Sequence, residues 1–212
     1  MLGALLSESR GRTTVPTAVP HPMLLDSFTS QFSPATFATA LAATAAVRIY
    51  ERRPRGFLNP SIRLLVQKSQ VPGGGLGVYV EDTLPAGTQL GAYPGRLLYM
   101  AEYTRKLAVH PHASTYCWKL QDDNGVLDPT DAQGNLYDAV PLIEGVELGA
   151  PWAVPTTLAR INEPPPRGDV NVETLEEGDT LTFFLRRDCR AGEELYLDYG
   201  MDYDRSMYGG AG

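Results

Sequence analysis

"TFFLRRDCRAGEELYLDYG", residues 182–200, decides how the rest of this sequence is read. It opens on aromatic and apolar residues that favour a strand. It then turns at Ala191-Gly192 and closes on an alternating stretch that reads as a final strand. In that stretch Glu194, Tyr196 and Asp198 fall on one side, and Leu195, Leu197 and Tyr199 on the other. Tyr199 therefore shares the apolar side. A phenol there, just before Gly200, needs a partner for its hydroxyl, and that partner is either structure or substrate.

Working outward, short strands dominate. "IRLLVQKS" (62–69) and "GVYVEDT" (77–83) carry strand-forming residues between turn residues. "LPAGTQLGAYPGRLL" (84–98) reads as a turn, a strand and a second turn at Pro94-Gly95. "MAEYTRKLAVH" (100–110) has helical spacing, and 114–135 reads as a hairpin around an Asp-Asn-Gly turn. Between 136 and 178 prolines and glycines are frequent and periodicity is weak. The expected architecture is mainly β with few helices, a compact mixed sheet fold rather than a doubly wound one.

Composition bounds the function. At 212 residues, 43% apolar and 20% charged, the chain has the make-up of an ordinary globular protein with one substantial domain. No apolar run approaches the ~20 residues of a membrane helix. Two cysteines, Cys117 and Cys189, are too few for a structural zinc site and read as free thiols. Residues 1–120 carry 12 Lys/Arg against 6 acids, and residues 121–212 carry 6 against 19. That balance argues against nucleic acid as a direct partner. The acidic half is either a solvated face or an attractor for a basic peptide. Residues 1–50 are rich in Ser, Thr and Ala, with only Glu8 and Asp26 as acids. They read either as a tail carrying a helix over 33–53, capped by Ser33 with Pro34 in its first turn, or as an organelle transit peptide. The compartment is accordingly nuclear or cytoplasmic, or an organelle if that segment is a signal. Nothing in the sequence sets an oligomeric state.

Two further stretches carry candidate chemistry. "PGGGLGVYVEDTLPAG" (72–87) lets a ligand approach the backbone closely, or is simply a glycine-rich hairpin turn. It is neither a P-loop nor a dinucleotide fingerprint, since no Lys-Ser/Thr follows and a strand stands where a helix is required. In "LARINEPPPRGDVNVE" (158–173), Asn162 and Asn171 flank three prolines. Their amides either hold a ligand's polar edge or serve turns.

Together and in this order, the three stretches resemble the SET-domain family of protein methyltransferases. Gly75-Leu76-Gly77, Pro85-Ala86-Gly87 and Tyr93-Pro94-Gly95 look like its first motif. Arg160-Ile161-Asn162 resembles its Arg-(Phe)-Ile-Asn-His stretch, Asp169-Val170-Asn171-Val172 its Pro-Asn-Val element, and 182–200 its closing Glu-Leu-x-x-Asp-Tyr-Gly. Glu163 stands where the family usually has His, and residues 136–157 are an unusual insertion. No cysteine-rich segment flanks the domain.

The resemblance implies a β-clip-like SET fold of several small sheets with a threaded carboxyl-terminal segment, over 56–204. Residues 1–55 would be an extension and 205–212 a short tail. It implies S-adenosylmethionine as cofactor and a lysine of a basic protein or peptide, such as a histone, as substrate. Tyr199 and Tyr93 would be catalytic. The cofactor would lie against Gly75, Leu76, Gly77, Tyr79, Arg160, Asn162 and Glu163. Tyr116, Trp118 and Tyr203 would line the substrate channel, with Tyr203 or Tyr208 over its mouth. No metal enters this chemistry. Glu163 leaves open the alternative of a SET-like peptide-binding module with little or no turnover.

Overall fold

A computed structural model describes residues 34–51, 53–121, 125–141, 153–165, 167–201 and 203. The expectations for residues 1–33, the Ser33 cap, the turn at 122–124, most of the 136–157 insertion and the tail with Tyr208 lie outside the described residues. The chain divides into two units, up to Ala46 and from Val47. The first holds most of α1 (Pro34–Glu51), with Pro34 at its first turn as read from the sequence.

The second unit is mainly strand. Its largest sheet is antiparallel and centred on β4 (Gln89–Leu98). Along one half β4 pairs with both β1 (Arg55–Leu58) and β10 (Thr180–Leu185). Along the other it pairs with β6 (Val126–Asp128). β5 (Trp118–Lys119) and β9 (Val172–Glu177) complete the order β5-β6-β4-β10-β9. Two hairpins stand apart, β2–β3 (Leu64–Lys68, Leu76–Val80) and β7–β8 (Ala139–Val140, Val154–Pro155). Helix α2 (Met100–Val109) and a 3-10 turn at Pro111–Tyr116 follow β4. Mainly strands, few helices and several small sheets: the fold class expected from the sequence is the one found.

Three expectations are corrected. No turn forms at Pro94-Gly95, and β4 runs straight through. Gly95 instead lets the strand press against β6, since a Cβ there would stand 2.8 Å from the Asp128 nitrogen. β9 hides within the stretch read as lacking periodicity. It is an acidic edge strand with only Val172 buried, so no apolar alternation announces it. The last stretch, 194–199, forms no ladder. It makes one bridge from Glu194 to Tyr79 and one from Tyr196 to Asn162.

That last segment is threaded between two elements. On one side Leu195 N donates to Val78 O at 2.7 Å, and Val80 N to Glu193 O at 3.0 Å. On the other, Leu197 N donates to Asn162 O at 2.9 Å, and Val172 N to Tyr196 O at 3.0 Å. Leu195 and Leu197 are buried in the core with Val78, Leu90 and Phe183, each worth about 1.5–3 kcal/mol. Asn171, 0% exposed, closes the second side. Its Nδ2 donates to Glu194 O at 2.8 Å and its Oδ1 accepts Tyr196 N at 2.7 Å. The amide read as a candidate ligand contact is thus spent on the chain's own backbone.

Asn171→Ala would strand a buried N–H and a buried carbonyl. It should cost about 2–4 kcal/mol of stability, read from the urea unfolding midpoint. A loss below about 0.5 kcal/mol would show that these groups find other partners.

Candidate active site

The glycine-rich turn sits between β2 and β3. It closes on itself through Ser69 N to Gly75 O at 2.9 Å and Gly74 N to Val71 O at 2.9 Å. Its glycines serve two purposes. At Gly73 and Gly75, both with positive φ, an added Cβ would meet nothing within 4 Å, so their backbone is open to an approaching group. At Gly77 a Cβ would overlap Glu194 Oε1. Gly77 is therefore required by packing.

Asn162 crosses from the stretch after the 3-10 turn Thr157–Arg160 to β3, where its Nδ2 donates to Leu76 O at 2.9 Å. Its Oδ1 has no protein partner among the described residues. Immediately before it, Ile161 O accepts the Tyr199 hydroxyl at 2.6 Å. Immediately after it, Glu163 Oε1 accepts Tyr199 N at 3.4 Å. Gly75–Gly77 and Tyr199 are therefore joined through three consecutive residues.

Tyr199 borders a cavity of about 620 Å³. Tyr93, Trp118, Phe183 and Tyr203 line it too. Tyr93 packs on Trp118 and Phe183 with ring centroids 5.8 and 5.7 Å apart, and Tyr199 on Tyr203 at 4.6 Å. Tyr93 donates its hydroxyl to Tyr116 O at 2.6 Å. Tyr116 thus contributes a carbonyl that holds Tyr93, while its neighbours Thr115 and Cys117 line the cavity. Burial first, then the nearby Cys117 thiol, drives the Tyr93 phenol well above its ordinary range, so it stays neutral. Burial and then Asp128 push the Cys117 thiol up as well. Burial raises the Cys189 thiol to about 11. Both cysteines are free, as the sequence suggested, and both stay protonated near neutral pH.

Arg160 and Tyr79 complete the placements. The Arg160 guanidinium pairs with Asp138 at 3.2 Å. The Tyr79 hydroxyl points inward, 2.8 Å from Lys68 O and 2.9 Å from Glu194 Oε2, and supports the turn from behind. Sequence reasoning missed Glu194 and Phe183. Nothing in the local pattern marks Glu194, because its partner Ser69 lies 125 residues away.

A family model described as the SET domain matches residues 75–200, more than half of the chain. The chain belongs to the SET-domain family. No curated protein matches it. Among solved structures, the SET domain resembles the crystal structure of the Chaetomium thermophilum polycomb repressive complex 2, at 21% identity and a TM-score of 0.46 over 68% of this chain. It also resembles that complex in an autoinhibited conformation bound to S-adenosylmethionine, at 22% identity and a TM-score of 0.44 over 66%. The matched regions span only 15–16% of those chains.

Within this SET domain Glu194 carries a pH signature of its own. Burial pushes its carboxyl up, but hydrogen bonds from Ser69, Gln70, Tyr196 and Tyr79 outweigh it and hold the carboxyl below its ordinary 4.5. The stability this contributes is present above 4.5 and is lost as pH falls through the lower folded value. Thermal midpoints of the wild type should therefore drop in that acid window. Those of Glu194→Gln should start lower and stay flatter there.

Proposed function

We propose that this SET domain transfers a methyl group from S-adenosylmethionine to the side-chain amine of a lysine in a histone or another basic protein. One observation carries the reading. The Tyr199 phenol, at the wall of an aromatic cavity, and Leu76, next in the chain to the open backbone of Gly75, are tied to adjacent residues, Ile161 and Asn162.

The residues fit the cofactor. Gly73 and Gly75 offer backbone that no side chain covers, and Asn162 keeps an amide oxygen to accept from an ammonium or an adenine. Leu76, Gly77, Arg160 and Glu163 flank that surface in the chain. When bound, S-adenosylmethionine supplies a sulfonium methyl open to in-line displacement by a neutral amine. A lysine is almost fully charged at pH 7, with a pKa near 10.4. The chain's task is to favour the neutral form. Tyr93, Trp118 and Phe183 remove water from the amine, which lowers an ammonium's pKa. Tyr199 gives its own proton to Ile161 O, so toward an amine its oxygen acts as an acceptor of N–H and aims the lone pair. Alignment of this kind is worth up to ~7–11 kcal/mol in well-oriented systems. The excess of acids after residue 120 favours a basic peptide and makes its on-rate sensitive to salt.

A second reading, a peptide-binding SET domain without turnover, is favoured by Glu163 in the family's His position, engaged with the Tyr199 backbone. Two measurements separate them: calorimetry with S-adenosylhomocysteine, and transfer of labelled methyl to histones and other basic proteins. Binding with transfer supports methylation. Peptide binding without either supports the module. Tyr199→Phe should lose about 100-fold in kcat while S-adenosylhomocysteine affinity changes by less than about threefold. Tyr203→Ala removes a ring that meets Tyr199 edge-to-face and should raise the peptide KM about tenfold. An unchanged KM would remove Tyr203 from the channel.

A further inference from the structure

We infer that Glu194 is a positioning residue that fastens the glycine-rich turn to the segment carrying Tyr199, so that one buried carboxylate sets both halves of the site. The assignment of those halves to donor and amine rests on the proposed function; the fastening does not.

Glu194 is 2% exposed, and no cation pairs with it among the described residues. A buried carboxylate without a cation is costly unless donors surround it. Here they come from three places. Ser69 Oγ donates to Oε1 at 2.6 Å and Gln70 N to Oε2 at 2.8 Å, both from the start of the turn. Tyr79 OH, from β3, stands 2.9 Å from Oε2. Its single proton serves either Glu194 or Lys68 O. Tyr196 OH, from Glu194's own segment, donates to Oε2 at 2.8 Å.

The attachment reaches the site from both ends. Gly77 lies so close to Oε1 that no side chain could intervene. Ser69 and Gln70 open the turn that presents Gly73 and Gly75. Downstream, the same segment is pinned at Leu197 by Asn162 and ends on Tyr199, whose hydroxyl meets Ile161. Strength at this joint therefore becomes precision between the open glycines and the phenol. Glutamine has the right length but the wrong chemistry, because it replaces one acceptor oxygen with an NH₂ that faces donors.

The test uses the full chain with Glu194→Gln and Ser69→Ala. Amide hydrogen exchange is followed over 69–77 and, for reference, over β4 and β10. Glu194→Gln should speed exchange in the turn about tenfold more than in the reference strands, whose exchange rises only with the loss of global stability. It should also weaken S-adenosylhomocysteine about tenfold and raise the cofactor KM with the peptide KM unmoved. Ser69→Ala, which removes one donor and keeps the carboxylate, should act in the same direction with smaller effect, and it serves if Glu194→Gln does not fold. Unchanged exchange in the turn overturns the inference. So does exchange that rises equally across the sheet, which would mark a contribution to stability alone. A wild type that does not bind S-adenosylhomocysteine removes the proposed function, and the exchange result still decides whether Glu194 fastens the turn.

Discussion

The threaded stretch 193–197 takes its backbone partners from β3 on one side and from Asn162, Asn171 and Val172 on the other. A buried backbone has to be paired somewhere, and this one cannot pair with a neighbour in sequence. Its position is therefore fixed only when both flanking elements are in place. Once there, it carries Leu195 and Leu197 into the core, Glu194 under the turn and Tyr199 to the cavity. Fold and site are assembled in the same step. On the β3 side the bonds join residues more than a hundred positions apart, such as Leu195 and Val78.

A second polar device lies beside Cys117, a residue of the cavity wall. Helix α2 has no buried residue of its own. It is tied to the sheet by Lys106, whose Nζ lies 2.6 Å from Asp128 Oδ2 and 2.7 Å from Thr130 Oγ1. Asp128 is 3% exposed, so the pair is largely removed from water. Such a pair adds little net stability over apolar packing, but losing one partner leaves a buried charge. Burial, and after it the same carboxylate, push the Cys117 thiol up and keep it protonated. Around Tyr93 the cavity wall thus presents a neutral thiol, a neutral phenol and an indole, surroundings that disfavour a charged amine, while Lys119 and Glu176 supply charge elsewhere on its lining.

Much of this was legible from local chemistry. Helix α2 and the β2–β3 hairpin follow from spacing and turn residues, and the reading of Tyr199 on the apolar side of its stretch agrees with its packing against the core. The order of the glycine turn, the Asn162 stretch and the closing segment pointed to the SET family, and the match over 75–200 places the chain there. What failed did so for stated reasons. Pro94-Gly95 has turn composition, yet the backbone of β6 occupies the space beside Gly95 and holds β4 extended. β9 is an acidic edge strand, so its pairing with β10 leaves no trace in hydrophobic alternation.

By itself, the sequence determined which residues could do chemistry: the aromatic content, the bare glycines, the phenol before Gly200 and the uneven charge. Only the tertiary structure decided what each polar group is for. All of Asn171, Tyr79, Asn162 and Tyr199 bond to the chain itself, but Asn171 and Tyr79 are spent on holding the threaded segment and its carboxylate, whereas Tyr199 also borders the cavity. The physical reason is that a side chain's periodicity is local, whereas the satisfaction of its hydrogen bonds depends on partners that arrive from the far end of the chain.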